Sequence, residues 1–525
     1  MPGSATDKEA MSPPHGGEDG REAVFLGLVL ALGLLLRLFR LGDHSIWLDE
    51  AHTIWIARLP FQEMLRYVGT VEIHPYLYYV LLHFYIKIAG TGEFLLRLPS
   101  ALMGSLEVYV IYLLGRQTAG RQAGILAGFL AAISSFEILF AQEIRMYSLL
   151  LLMIVLASHF FISALNTGKT WHWTAYVLCT AAGLYTDYRM AVITAAGGLF
   201  YLIFHRRYPD SLKAFMGSGL VILVAAISLL PLYLRQSGEA GGLKSMELFL
   251  EPLTPALFFR AIFSLFGGGL SPLEAHAGAA GGAVILLFLA LSLWQRLKNE
   301  EWAACFVPVS FLAGLAAITA FSLKGARVFS VHNLIFLSPF FLLLLSIALR
   351  GRDGRVRPLS ALFLAAFIII NMHCNYLWFF NPASSKQNFK AAVSYVQGQL
   401  HPGDRIALAP DYQKFPFDYY YRGDGPVYYV NPRILRDGRI QEALAAPGRV
   451  FWIFAGDRFI DPEMVMRRWL DQHFQVISAV EFPCSGFHSI TGRSIQVFLG
   501  IPRRPAPPQA PPSPPGSSPP PVNGD

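Results

Sequence analysis

Long apolar runs separated by short polar turns dominate the first three-quarters of the chain. Runs at 22–41, 94–115, 122–140, 147–165, 171–187, 189–205, 213–234, 279–296, 301–321, 332–349 and 358–378 come close to the ~20 residues that a membrane-spanning helix needs. Two shorter apolar stretches, 76–89 with His83 and Lys87 and 256–269 with Arg260, suit helices lying in the membrane interface. After about residue 384 the pattern changes. Strand signals at 405–409, 427–430, 450–454, 474–481 and 494–499 are interleaved with helical stretches at 386–399 and 461–473. The expected fold is a polytopic α-helical membrane protein of about 11 transmembrane helices plus interfacial helices, followed by a small C-terminal α/β domain.

The termini and loops set the expected organisation. Residues 1–21 are polar and read as a disordered cytoplasmic N-terminus, and the Pro-rich 502–525 as a disordered tail. The apolar run beginning at Ala23 has no small-residue cleavage site after it and reads as a retained helix. Between the termini lie the transmembrane domain, 22–380, with an outer loop at 42–93, and the soluble part, 381–501. If 76–89 does not cross, then Arg116, Arg121, Lys169, His205-Arg206-Arg207, Lys213, Arg296, Lys298 and the basic loop 350–357 all fall on one side. The positive-inside rule makes that side cytoplasmic and the C-terminal domain extracytoplasmic.

Composition agrees with a membrane class. The chain is 54% hydrophobic and 15% charged, against about 25% charged in soluble domains. The net charge of +7 is accounted for by loop Lys and Arg, so no nucleic-acid partner is expected. Cys179, Cys305, Cys374 and Cys484 are too scattered for a disulfide framework or a CxxC metal site.

Against this apolar background the acids stand out. Asp49-Glu50 follows the first run, at the start of a helix expected to reach about Val68 along the membrane surface. Acids at a helix start also offset its dipole. The segment Gln142-Glu143-Ile144-Arg145-Met146-Tyr147 follows the third run, and Glu143 and Arg145 could simply pair with each other. His74, in Ile73-His74-Pro75-Tyr76, is a third candidate, and a lone His is more often packed than a ligand.

Taken together, Trp47-Leu48-Asp49-Glu50, His74-Pro75-Tyr76-Leu77-Tyr78-Tyr79, Arg97-Leu98-Pro99-Ser100-Ala101-Leu102 and Gln142-Glu143-Ile144-Arg145-Met146-Tyr147 resemble the family 39-like glycosyltransferases of the GT-C superfold. More distantly they resemble protein O-mannosyltransferases and lipid A aminoarabinose transferases. The resemblance covers about residues 22–200 and continues weakly through Leu334–Pro339. It implies a bacterial inner-membrane transferase that moves a sugar from a polyprenyl-phosphate donor to a lipid, glycan or protein acceptor. Asp49 would then orient or deprotonate the attacking hydroxyl, with Glu50 tuning it as a neighbouring carboxylate. Glu143 would orient the acceptor or, with Asp49, hold a divalent metal; no cofactor is required by the motifs. Gln142, His74, Arg145 and Tyr147 would bind substrate and receive the leaving phosphate. The chain departs from the family at His332-Asn333, where an Arg is usual, and there Lys324 or Arg327 could supply the charge. A transporter or flippase, or a non-catalytic binding protein of the same fold, are the competing classes.

Overall fold

The computed structural model describes residues 16–238, 252–267, 269, 272–297, 303–324, 328–349, 358–384, 386–456, 461, 463–484 and 494–503. Arg327, the basic loop 350–357 and most of both terminal segments lie outside the described residues.

The apolar runs form helices, but fewer of them can cross a membrane than the sequence pattern implied. Among the described residues six helices are long and apolar enough: Glu93–Ala119, Tyr147–Thr167, Pro209–Ser237, Phe306–Leu323, His332–Leu349 and Pro358–Phe380. A seventh is reached if the bent pair Arg121–Ile133 and Ser135–Ala141, which meet at 59°, counts as one span. The expected 11 is therefore corrected to six or seven. Length accounts for two of the lost spans. Thr170–Thr186 has 17 residues and Met190–Phe204 has 15. At ~1.5 Å per residue these reach only about 25 and 22 Å, short of the ~30 Å hydrocarbon core. Asp187-Tyr188-Arg189 divides what hydropathy alone reads as two neighbouring spans. The chain remains a multi-pass membrane protein. Leu220, Leu223, Val224, Ile227, Leu230 and Leu234 on one long helix are all exposed, as side chains meeting lipid would be.

The interfacial stretches form helices Leu77–Ala89 and Pro255–Gly267, of 13 residues each. The surface helix expected to run unbroken from Trp47 to Val68 is two helices, Leu48–Arg58 and Phe61–Thr70. Leu59 is extended and Pro60, which has no N–H to lose, opens the second.

By contact the chain divides into two units. The first comprises Met1–Ala391, Phe415–Tyr420 and Pro483–Ser494; the second comprises Ala392–Lys414, Tyr421–Phe482 and Ile495–Asp525. At one set of helix ends in the first unit, Arg97 donates to the Leu41 carbonyl, Gln142 to that of Arg37, Arg189 to that of His332 and Gln236 to that of His74. Arg116, Lys169, Arg206, Arg207 and Lys213 are exposed at the opposite helix ends. Close helix packing depends on Gly124, where an added Cβ would lie 2.5 Å from the Tyr112 carbonyl oxygen.

The helix break at Ser134 matters for the site because Ser135–Ala141 carries Gln142 to Arg145. Breaking a helix inside an apolar bundle frees backbone groups that need partners. Arg37 donates to the carbonyls of Ala131 (3.1 Å) and Ala132 (3.4 Å), and Asn375 Nδ2 to that of Ile133 (2.9 Å). On the other side of the break, Asn371 Oδ1 accepts from the Ser135 N–H at 2.8 Å.

The second unit is built on a five-stranded sheet in the order β2-β1-β3-β5-β4, with β1 Arg405–Ala409, β2 Val427–Tyr429, β3 Val450–Ala455, β4 Phe474–Phe482 and β5 Ile495–Pro502. The β1 pairings with β2 and β3 are parallel; β5 runs antiparallel to β3 and β4. β1 and β3 are buried along their whole length, as central strands covered on both faces are. Trp452, Leu470, Phe474 and Phe498 pack together in its core.

Candidate active site

The two neighbouring acids at the start of Leu48–Arg58 have different surroundings. Glu50 is 1% exposed and clamped. Arg97 meets it with two hydrogen bonds, Nε to Oε1 at 2.9 Å and Nη2 to Oε2 at 2.7 Å, and the Ile144 N–H donates to Oε1 at 3.0 Å. The same guanidinium donates to the carbonyls of Leu41 (3.1 Å), His44 (2.8 Å) and Ser45 (3.3 Å). Arg97 therefore staples the turn after the first helix to the Glu143 loop. Asp49, half-buried, makes no side-chain hydrogen bond among the described residues. Its backbone carbonyl accepts from Thr53 Oγ1 at 2.7 Å, and that hydroxyl accepts from Arg145 Nη1 at 2.9 Å. Asp49 is thus within electrostatic reach of Arg145, Tyr147 and Lys386.

Glu143 and Arg145 do not pair with each other. Glu143 forms a buried ion pair with Lys386, whose ammonium also lies 3.8 Å from the centre of the Trp47 ring. Burial pushes the Glu143 carboxyl up to about 7, against the opposing pull of Lys386. Burial likewise lowers the Lys386 ammonium. Trp47, Glu50, Glu143, Trp378 and Lys386 line a small cavity. His44, stacked on Trp378 at 4.0 Å, is lowered to about 3 by burial and by the charges of Arg97 and Arg40.

Cations gather around Tyr147. The guanidinium carbons of Arg145 and Arg189 lie 5.9 and 5.6 Å from its ring centre. Arg189 is held by Asp187 through two side-chain bonds of 2.8 and 2.6 Å, and donates to the His332 carbonyl at 2.9 Å. Arg145 is 6% exposed, and its Nε makes no hydrogen bond. His332 is packed with its ring 5.6 Å from Phe140 and 6.5 Å from Tyr147.

His74 faces Glu72, with Nδ1 3.0 Å from Oε1. Burial raises the Glu72 carboxyl, but the His74 bond and the charges of His74, His52 and Arg145 overcome it and hold it well below the usual range. Gln142 is used entirely in support. Its amide nitrogen donates to the carbonyls of Leu36 (3.4 Å), Arg37 (3.0 Å) and Phe39 (2.9 Å), and its oxygen accepts from Trp378 Nε1 at 2.6 Å. Lys324 caps Phe306–Leu323 and is exposed, with no bond to this cluster among the described residues; Arg327 lies outside them.

The structure thus gathers Asp49, Glu50, Glu143, Arg145, Tyr147 and His332 and leaves Lys324 apart. It adds Arg97, Arg189 and Lys386, which sequence reasoning did not place in the site. Arg189 had a signal, a charged Asp-Tyr-Arg turn between apolar runs. Lys386 had none, because 243 residues separate it from Glu143. Among the described residues no group of three or more His, Cys, Asp or Glu side chains is arranged to hold a metal. Glu143, the acid that was expected to share an ion with Asp49, is paired with Lys386.

This arrangement of helices and loops is the GT-C fold that the motifs resemble. Residues 73–233 match the dolichyl-phosphate-mannose-protein mannosyltransferase family. The chain is similar in fold to ArnT from Cupriavidus metallidurans bound to undecaprenyl phosphate, at a TM-score of 0.55 and 12% identity, over 92% of this chain and 98% of that one. It is similar to the apo state of the same ArnT at a TM-score of 0.54, with 12% identity and the same coverage. No curated protein matches the sequence.

Proposed function

We propose that this protein is a membrane glycosyltransferase that moves a sugar from a polyprenyl-phosphate donor to an acceptor hydroxyl. The observation that carries the reading is Asp49: a half-buried carboxylate without a hydrogen bond, one helical turn before Thr53, whose hydroxyl accepts from an arginine with an unused buried N–H. A base needs a free oxygen to take a proton, and a leaving phosphate needs cations. The acceptor O–H would lose its proton to Asp49 as its oxygen bonds to the anomeric carbon. The bond from that carbon to the phosphate oxygen breaks, and the polyprenyl phosphate departs with the electron pair toward Arg145 and Arg189. Glu143 and Lys386 would hold the acceptor from the opposite loop. Undecaprenyl phosphate is bound by the ArnT of similar fold, which supports a polyprenyl phosphate on this chain.

Sidedness follows from charge rather than from counting spans. The acid and arginine cluster lies at helix ends opposite those carrying Arg116, Lys169, Arg206, Arg207 and Lys213. By the positive-inside rule the cluster would face away from the cytoplasm.

The test is mass spectrometry of envelope lipids, glycans and proteins from cells with and without the chain, together with transfer by the purified protein from polyprenyl-phosphate sugars. The expected result is a mass difference of one sugar, lost in Asp49→Asn at unchanged expression. Normal turnover by that variant would remove Asp49 from the mechanism. Donor-dependent flux into proteoliposomes without a covalent product would replace a transferase by a transporter.

A further inference from the structure

Three charged side chains lie inside the bundle and have no part in the transfer just described. They are Arg37, Glu107 and Glu137, at 1%, 2% and 2% exposure. Charges so placed persist only when neutralised. Arg37 supplies a charge to both glutamates, and they are its electrostatic partners. Its hydrogen bonds, however, go to backbone: Nη1 to the carbonyls of Gly33 and Ala132, and Nη2 to that of Ala131. Glu107 Oε1 and both oxygens of Glu137 receive no N–H or O–H from elsewhere in the described chain. Ser338 approaches Glu137, but its hydroxyl hydrogen is directed to the Ile335 carbonyl at 2.7 Å. The two acids lie within electrostatic reach of each other and of Arg37. Two buried carboxylates without donors, facing one cation, leave one negative charge too many, and a proton on one of them removes that charge and supplies the missing donor.

We propose that Glu107 and Glu137 share one proton inside the membrane. The single remaining negative charge balances Arg37, and the triad fixes the helix break at Ser134 that aims Glu143 and Arg145. These three are positioning residues. Arg37 bonds the carbonyls that end one half of the broken helix, and Glu137 sits in the first turn of the other, its backbone N–H 3.4 Å from the capping Ser134 hydroxyl. With both glutamates ionised the triad would carry a net negative charge in an apolar bundle; with one proton it is neutral overall. The positioning half of the inference rests on the transferase reading, whereas the proton does not.

The test compares infrared difference spectra and transfer rates of the full chain in lipid nanodiscs, for the native protein, Glu107→Gln, Glu137→Gln and the double variant. At about pH 9, where Glu143 is ionised, the native protein is expected to show one protonated-carboxyl stretch that either single variant removes, because glutamine replaces the neutral acid. Transfer by each single variant should stay within about threefold, since one anion still faces Arg37. The double variant strands Arg37, and its transfer should fall by at least about tenfold. Adding Arg37→Gln to the double variant should restore the folded fraction. A native spectrum without that band, or a band that survives both single variants, overturns the shared proton. A double variant as active and as well folded as the single ones overturns the positioning role. Absence of transfer by the native protein would count against the transferase reading and leave the spectral result standing.

Discussion

Arg97→Met separates the two acids of the Asp49-Glu50 pair. The substitution keeps an apolar stem of similar length and removes the guanidinium. It leaves Glu50 buried at 1% exposure with only the Ile144 N–H, and leaves the carbonyls of Leu41, His44 and Ser45 without their donor. Removing one partner of a buried pair costs about 3–5 kcal/mol, or roughly 10²- to 10⁴-fold in the folding equilibrium. Glu50→Gln on the native background should cost less, because the Arg97 guanidinium, although it loses its counter-charge, keeps the amide oxygen and the carbonyls of Leu41, His44 and Ser45 as acceptors. Adding Glu50→Gln to Arg97→Met should recover part of the loss by removing the stranded charge. Asp49→Asn, one residue away, should leave stability within about 0.5 kcal/mol, since it makes no side-chain bond. Denaturant unfolding in mixed micelles, followed by tryptophan fluorescence, measures all four. Arg97→Met with native stability would refute the clamp, and so would an Asp49→Asn protein destabilised as strongly as Arg97→Met.

The remaining predictions concern charge. Arg145→Gln and Arg189→Gln should each weaken binding of a polyprenyl-phosphate donor by about tenfold or more, a charge-assisted hydrogen bond being worth roughly 1.5–3 kcal/mol; Lys324→Ala, outside the cluster, should leave donor KM unchanged. Glu143, raised from 4.5 to about 7, binds its proton more tightly folded than unfolded, so its contribution to stability is complete below about pH 4.5 and is lost as pH rises through about 7. Glu143→Gln should flatten that part of the stability–pH curve, and an unchanged curve would contradict the assignment. Glu72 has the opposite sign: held below 4.5, it contributes stability above that pH that is lost on acidification, and Glu72→Gln should remove the acid-side loss. Gln142→Leu, which strips donors from three carbonyls and the acceptor from Trp378, should destabilise by about 2–4 kcal/mol in the same unfolding assay.

The helical class and the strand segments of the second unit were legible in the sequence, and Asp49, Glu143 and Arg145 stood out there as candidates, because apolar periodicity and isolated charges are local signals. It overstated the crossings, since the runs read as spans at 171–187 and 189–205 form helices of only 17 and 15 residues. The division of labour within Asp49-Glu50 could not be read locally. It is decided by Arg97, 47 residues away, and by the Ile144 amide. Gln142 looked like a substrate ligand because polar residues after a span often are; its partners are backbone carbonyls, which carry no sequence signal. The cation expected near His332 comes from Arg189, on a different helix from the one the motif pointed to.

The ion pair between Glu143 and Lys386 also bears on the order in which the chain can mature. Asp49, Glu50 and Glu143 emerge early in synthesis, and Arg97 neutralises Glu50 soon after. Glu143 lacks its ion-pair partner until the helix Pro358–Phe380 has been made and its following turn has delivered Lys386. A nascent chain that stops before that point holds the Glu143 acid without its ion-pair partner, so the Glu143 end of the bundle is completed late. Chains truncated ahead of Lys386 would expose that acid to the quality-control machinery of the membrane, whatever the state of their earlier helices.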